Sequence, residues 1–181
     1  EVEEKLPSLI LLPTSLIHNW YNELKRFAPS LSVYVYTGNK RVKAKDSNFR
    51  LFDLIITTYG TLRNDIDLFS KCYFHHLILD ESQYVKNPSS DIHVAIKQIN
   101  ALHKLALTGT PIENSLVDLW SLFDILNEGM LGNLTSFKKR YVNTINKEDK
   151  KRDEKLLKMI QPFILRRTKE QVIPELPPLQ E

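Results

Sequence analysis

The sequence predicts an α/β fold, a parallel sheet covered by helices on both faces, with a helical appendage at its C-terminal end. Three observations carry this prediction. Short runs rich in Ile, Leu and Val recur through the first two-thirds of the chain: Leu9 to Leu12, Val33 to Tyr36, Leu54 to Ile56, Leu77 to Leu79, and Leu105 to Leu107. Each ends in a polar or Gly/Pro signal and reads as a strand buried on both faces. Between several of them lie stretches of helical period, and strands that alternate with helices make a parallel sheet. From Gly129 onward the period changes and basic charge gathers.

The first helical stretch sets Leu16, Trp20, Leu24 and Phe27 on one stripe after the cap-like Thr14-Ser15. A second carries Ile92, Ala95, Ile96 and Ile99 after Pro88. The third is the best marked: Ser115 and Asp118 fit a capping box, and Leu116, Leu119, Trp120, Phe123 and Leu126 form its apolar stripe. This helix is expected to close a lobe spanning residues 1–128. Leu131-Gly132 breaks the chain, Phe137 and Tyr141 suggest a short helix, and Lys150 to Ile160 a charged one, so residues 129–173 are expected to form a basic helical protrusion. Pro174, Pro177 and Pro178 cannot sustain a helix, and 174–181 reads as a linker.

The chain has 181 residues, 42% of them hydrophobic and 26% charged, enough for a sizeable core. No apolar run approaches the roughly 18 residues of a membrane helix, and Glu1 to Lys5 is acidic where a secretory signal is basic. One cysteine, Cys72, makes neither an internal disulfide nor a zinc cluster, so the expected setting is reducing and intracellular: cytoplasm or nucleoid in a bacterium, nucleus in a eukaryote. The opening Glu1-Val2 without an initiator Met reads as a piece of a longer protein. The net charge of +3 hides an asymmetry. Lys138 to Lys169 holds 12 basic and 4 acidic residues, and the rest 13 and 18. Such a stretch is either a solvated helical face or a surface for an anionic partner such as nucleic acid. A second group, Lys40, Arg41, Lys43, Lys45 and Arg50, reads as a solvated loop.

In open parallel sheets ligands bind at the carboxyl ends of the strands, so chemistry is sought just after each apolar run. Leu77-Ile78-Leu79 delivers Asp80-Glu81. Two adjacent carboxylates there can divide labour, one holding a hard cation and the other accepting a proton from an attacking water. Taken alone, the pair reads first as a helix cap with a first-turn acid. The next exit, Thr108-Gly109-Thr110-Pro111, is either a phosphate-sensing turn or a tight turn leading to a helix. Pro13-Thr14-Ser15 and Thr57-Thr58-Tyr59 put small hydroxyls at helix starts, where amides bind phosphate or simply cap. His18, His75, His76, His93 and His103 show no ligand-like grouping with the acidic pair, which leaves little for a metal-dependent hydrolase. Trp20 and Trp120 lie on apolar stripes and read as core.

The order and spacing of the four exits resemble the first RecA-like lobe of the superfamily-two helicases, in particular the Swi/Snf-type, chromatin-remodeller-like DNA-dependent ATPases. Leu11 to Leu16 with Asn19-Trp20 is similar to motif Ia, Ile56 to Tyr59 to motif Ib, Asp80-Glu81-Ser82-Gln83 to the Walker B motif II, and Leu107 to Pro111 to motif III. Lys86-Asn87-Pro88, Ile112 to Ser115, Leu119 to Leu122 and Pro162 to Lys169 repeat the family's wording, and the likeness covers nearly the whole chain.

The resemblance implies an ATP hydrolase in which Asp80 holds the Mg2+ of MgATP through water and Glu81 orients and deprotonates the attacking water. Gln83 and Thr108-Gly109-Thr110 would relay the state of the γ-phosphate to a second RecA-like lobe. Pro13, Thr14, Thr57, Thr58 and Tyr59 would grip duplex DNA without reading bases, and a protein cargo is a further possible partner. The basic protrusion would lie near the duplex. The family's phosphate-binding loop, Gly-x-x-x-x-Gly-Lys-Ser/Thr, is absent: none of Gly38, Gly60, Gly109, Gly129 and Gly132 precedes a Lys-Ser/Thr at that spacing. The loop is therefore expected upstream of Glu1 and the second lobe after Glu181. These residues alone, an incomplete P-loop NTPase fold, are expected to be inactive, and to be marginally stable or associate edge to edge. The alternative is a catalytically degenerate lobe that serves as a nucleic-acid or protein binding platform.

Overall fold

A computed structural model describes residues 6–38, 46–109, 115–143 and 150–167. Five strands form one parallel sheet: β1 (Ser8–Leu12), β2 (Val33–Tyr36), β3 (Leu54–Thr58), β4 (Tyr73–Leu79) and β5 (Asn100–Ala106), in the order β2-β3-β1-β4-β5. The register places Leu11 between Thr57 and Leu79, and Leu79 beside Ala106, so four strands end along a common edge.

One face of the sheet packs against α2 (Tyr59–Asn64), α3 (Ile66–Phe69), α4 (Asp91–Lys97) and α5 (Leu116–Leu126), through a core that includes Leu9, Leu11, Ile55, Leu77 and Leu79. Beneath β2, β3 and β4 this core is aromatic: Tyr36, Phe49, Phe69 and Phe74 are all fully buried. The opposite face buries Ile10, Leu12, Leu54 and Ile56 against Leu16, Ile17, Trp20 and Leu24, the apolar stripe of α1 (Ile17–Phe27). Helices thus lie on both faces, as the alternation of elements predicts.

Two expectations need correction. β5 is not buried on both faces: Leu102 and Leu105 are 64% and 50% exposed. β5 is an edge strand, and the core under α1 reaches only Ile78 of β4 and no residue of β5. Thr14-Ser15 does not cap α1, because a tight helical turn over Thr14–Leu16 runs directly into it with Pro13 at the cap position, and Phe27 at the far end is exposed. The compact first unit runs through Lys138. Trp120 Nε1 donates to the Gly132 carbonyl at 2.9 Å, and Phe137 of the short helix α6 (Leu134–Phe137) is buried, which ties this stretch back to α5.

Ser115 caps α5, its Oγ accepting from the Asp118 amide at 3.3 Å and donating to the Asp118 carboxylate at 2.9 Å. Behind β4, a buried polar group joins α4 to α5. His93 lies 3.1 Å from Asp124 through Nε2 and 2.9 Å from Ser121 through Nδ1, and Ser121 Oγ donates to the Val85 carbonyl at 2.6 Å.

The second unit begins at Lys139 and holds the expected charged helix, α7 (Lys150–Ile160), followed by a turn over Gln161–Phe163. Leu156 and Ile160 are buried, while Lys155, Lys158, Arg166 and Arg167 are exposed. No helix among the described residues is long and apolar enough to cross a membrane. The basic loop residues Lys40, Arg41, Lys43 and Lys45, Thr110 to Asn114, and the Pro-rich stretch 174–181 lie outside the described residues.

Candidate nucleotide and nucleic-acid site

The strand order brings the four chemically suggestive exits side by side. Along the carboxyl edge, Thr57-Thr58 of β3, Pro13-Thr14 after β1, Asp80-Glu81 after β4 and Thr108-Gly109 after β5 follow one another. Backbone bonds lock the acidic pair to both neighbours: the Asp80 amide donates to Leu11 at 2.8 Å, Leu107 to Leu79 at 2.7 Å, and Ser82 to Leu107 at 3.1 Å. The adjacency that Asp80-Glu81 and Thr108-Gly109 need is therefore present.

Asp80 is the most constrained residue of the edge. Its Oδ2 accepts from the indole of Trp20 at 2.6 Å and its Oδ1 from the Glu81 amide at 2.9 Å. Its backbone carbonyl accepts from the Tyr59 hydroxyl at 2.7 Å. Each carboxylate oxygen takes one donor and keeps a lone pair, and hard oxygen donors of this kind suit a Mg2+ ion that retains its waters. Glu81 has φ 50° and ψ 54°, the left-handed region, and is the one described non-glycine residue with positive φ. That conformation costs of order 1–3 kcal/mol and concentrates at functional sites. It turns the chain out of β4, so that the two adjacent carboxylates do not simply alternate across the sheet.

Gln83 is exposed two residues on and lines an open depression with Tyr84, Lys86, Asn87 and Pro88. Thr108 is half-buried and Gly109 exposed, while Thr110 lies outside the described residues. Pro13 is half-buried, and Thr14 is exposed at the first turn before α1.

Two residues expected to grip DNA do other work. Thr57 is fully buried, and its hydroxyl donates to the Tyr36 carbonyl of the neighbouring strand at 2.7 Å. Tyr59 is 3% exposed and stacked on Tyr84 at 5.3 Å between centroids. Burial, with the charges of Asp80 and Glu81 nearby, pushes its hydroxyl far above the usual phenol range, so it stays a donor. Neither side chain is available to a nucleic acid backbone. Thr58 caps α2, accepting from the Thr61 amide at 3.1 Å and donating to its hydroxyl at 2.9 Å.

Trp20 is the residue that sequence reasoning misses. Its place on an apolar stripe points to core, and its half-buried ring does pack there, but its indole N–H also finds an acceptor. The histidines sit elsewhere. The rings of His75, His76 and His103 cluster near the start of β4 and in β5, with centroids 4.3–5.4 Å apart. From His76 to Asp80 the strand advances about 13 Å. Among the described residues no three His, Cys, Asp or Glu side chains are placed to hold a metal ion by themselves.

The SNF2-related domain family matches residues 1–181. The chain is 44% identical over 169 residues to the putative ATP-dependent helicase/translocase YwqA of Bacillus subtilis, covering 92% of this chain and 18% of that protein. It is 40% identical over 186 residues to the TATA-binding protein-associated factor MOT1 of Saccharomyces cerevisiae, covering 96% and 10%. Among solved structures, the Sulfolobus solfataricus SWI2/SNF2 ATPase core in complex with dsDNA superposes with a TM-score of 0.83 at 41% identity, over 92% of this chain and 35% of that one. The same organism's SWI2/SNF2 ATPase core domain gives 0.80 at 38% identity, over 96% and 36%. The 181 residues thus span under a fifth of these two curated relatives and about a third of the solved cores.

Proposed function

This chain belongs to the SNF2-related family, and we propose that it is the first RecA-like lobe of a motor in which ATP hydrolysis is stimulated by duplex DNA and drives movement along it. The observation that carries the reading is the row of exits on one sheet edge, with Asp80-Glu81 between Pro13-Thr14 and Thr108-Gly109. A nucleotide site and a nucleic-acid grip on adjacent strands are what coupled hydrolysis needs. The relative solved as an ATPase core carries dsDNA, which supports duplex as the partner.

In the proposed reaction Asp80 would hold a Mg2+ ion through its waters, and that ion would supply positive charge against the phosphates. Glu81 takes a proton from the water as its oxygen bonds the γ-phosphorus, and the bond to the bridging oxygen breaks to release ADP. Gln83 and Thr108-Gly109 lie beside this pair and carry its state toward a second lobe. Thr14, exposed at a helix start, binds a phosphate of the duplex, and the exposed cations of the second unit by themselves suit a polyanionic partner.

A phosphate-binding loop must reach Asp80-Glu81, and this sequence has none. A strand added outside β5 stands two positions from β4, about 10 Å; one added outside β2 stands four positions away, about 19 Å. The exposed β5 edge is therefore the proposed seat of the strand that brings the loop. Without it, the 181 residues alone are expected to show no micromolar affinity for MgATP by isothermal titration and no hydrolysis. Micromolar binding would contradict the need for the loop.

The test of the reading is steady-state ATP hydrolysis by the full-length protein without nucleic acid, with single-stranded DNA and with duplex, at one salt concentration. Strong stimulation by duplex is expected; no hydrolysis under any condition would point to a binding platform instead. Thr14→Ala should raise the duplex concentration for half-maximal stimulation about fivefold, the equivalent of one hydrogen bond of about 1 kcal/mol. An unchanged midpoint would remove Thr14 from the interface.

A further inference from the structure

We propose that Trp20 and Tyr59 are positioning residues that hold Asp80 from opposite faces of the sheet, and that Trp20 couples it to the duplex-gripping turn that leads into α1. The inference rests on the proposed motor function and assigns a route by which the two sites communicate.

Trp20 lies six residues beyond Thr14 on the same helical run, about 9 Å along its axis. Its ring packs with Ile10, Leu12 and Ile56 on one face of the sheet, and its Nε1 donates to the Asp80 carboxylate at 2.6 Å. Tyr59 directly follows Thr58, starts α2, and belongs to the core on the other face. Its hydroxyl donates to the Asp80 carbonyl at 2.7 Å. One aspartate is thus gripped at its carboxylate by one helix and at its backbone by another. Each helix begins at a strand exit where a threonine stands.

Both bonds are built for position. An indole N–H is a donor only, and a carbonyl oxygen only accepts, so the Tyr59 hydroxyl facing the Asp80 carbonyl is held in the donor role as well. The Trp20 ring is packed against the sheet, so a shift of α1 on gripping DNA moves its donor, and the acceptor follows or the bond opens. Trp120 gives the contrast within the same chain: its Nε1 donates to the Gly132 carbonyl at 2.9 Å, away from the acidic pair, and ties a loop to α5.

The test uses the full-length protein with Trp20→Phe, Tyr59→Phe and, as a control, Trp120→Phe, each of which keeps an aromatic body and removes a donor. Mn2+ affinity of the complex with a non-hydrolysable ATP analogue is measured by electron paramagnetic resonance, with and without duplex. The melting temperature and the ratio of duplex-stimulated to basal hydrolysis are measured alongside. Trp20→Phe is expected to weaken Mn2+ binding about tenfold or more, as loss of a partner to a metal-site carboxylate does. Tyr59→Phe should weaken it about fivefold, as for one neutral hydrogen bond. Trp20→Phe should also lower the stimulation ratio, whereas Trp120→Phe lowers the melting temperature and leaves Mn2+ affinity alone. Wild-type Mn2+ affinity and stimulation ratio in Trp20→Phe would overturn the proposal. So would equal losses in Trp20→Phe and Trp120→Phe that track the melting temperature. If wild-type hydrolysis ignores duplex, the motor reading fails, and the Mn2+ affinity of Trp20→Phe alone then decides whether this indole positions Asp80.

Discussion

Glu81→Gln in the full-length protein is expected to lower ATP turnover by about a hundredfold or more, the loss that follows removal of a positioned general base. Gln keeps the volume and the hydrogen-bonding reach of Glu but takes no proton at neutral pH. It tolerates the left-handed backbone at this position as Glu does. Asp80 keeps the Trp20 indole and the residue-81 amide as donors, so the metal-holding carboxylate is undisturbed. Nucleotide affinity should therefore stay near the wild-type value. Steady-state turnover with saturating duplex, paired with equilibrium nucleotide binding, separates the two effects. Less than a tenfold loss of turnover, or a loss matched by weaker binding, would remove Glu81 from the role of base.

The largest expected loss of stability comes from Phe69→Ala, about 3–5 kcal/mol. Phe69 is fully buried beneath the sheet, with its ring 5.4 Å from Tyr36 in an edge-to-face pair, 5.2 Å from Phe49 and 6.4 Å from Phe74. Truncation removes the ring's own burial and leaves a hole that four elements cannot readily close. These are β2, the turn over Asp46–Leu51, α3 and β4. Denaturant unfolding followed by tryptophan fluorescence checks the figure. A loss below about 1 kcal/mol would mean that the aromatic cluster collapses to fill the space.

Much of the fold is legible because its signals are local. β1, β2 and β3 are near-continuous apolar runs with clear ends, and Ser115-x-x-Asp118 before an apolar stripe marks the start of α5 within one residue. β5 is less legible. Asn100 to Lys104 has no unbroken apolar run, since an edge strand with one open face does not require one. The turn over Asp46–Leu51 that seats Phe49 in the core carries no periodic signal over so short a stretch. At the site, Asp80-Glu81 and Thr108-Gly109 stand out by following apolar runs. Thr57 and Thr58 look alike in sequence, yet the pleat turns Thr57 into the sheet to bond Tyr36 and leaves Thr58 half-exposed as a cap.

By itself the sequence determines the strands, the principal helices, the family and the row of candidate chemistry, because each is written in residues close together along the chain. What Trp20, Tyr59 and Thr57 do was decided only by the tertiary structure. Trp20 and Asp80 are 60 residues apart and Tyr59 and Asp80 are 21 apart, and they meet because β1 lies between β3 and β4. An aromatic on an apolar stripe announces its burial, but the partner of its polar tip depends on which strand the sheet sets beside it.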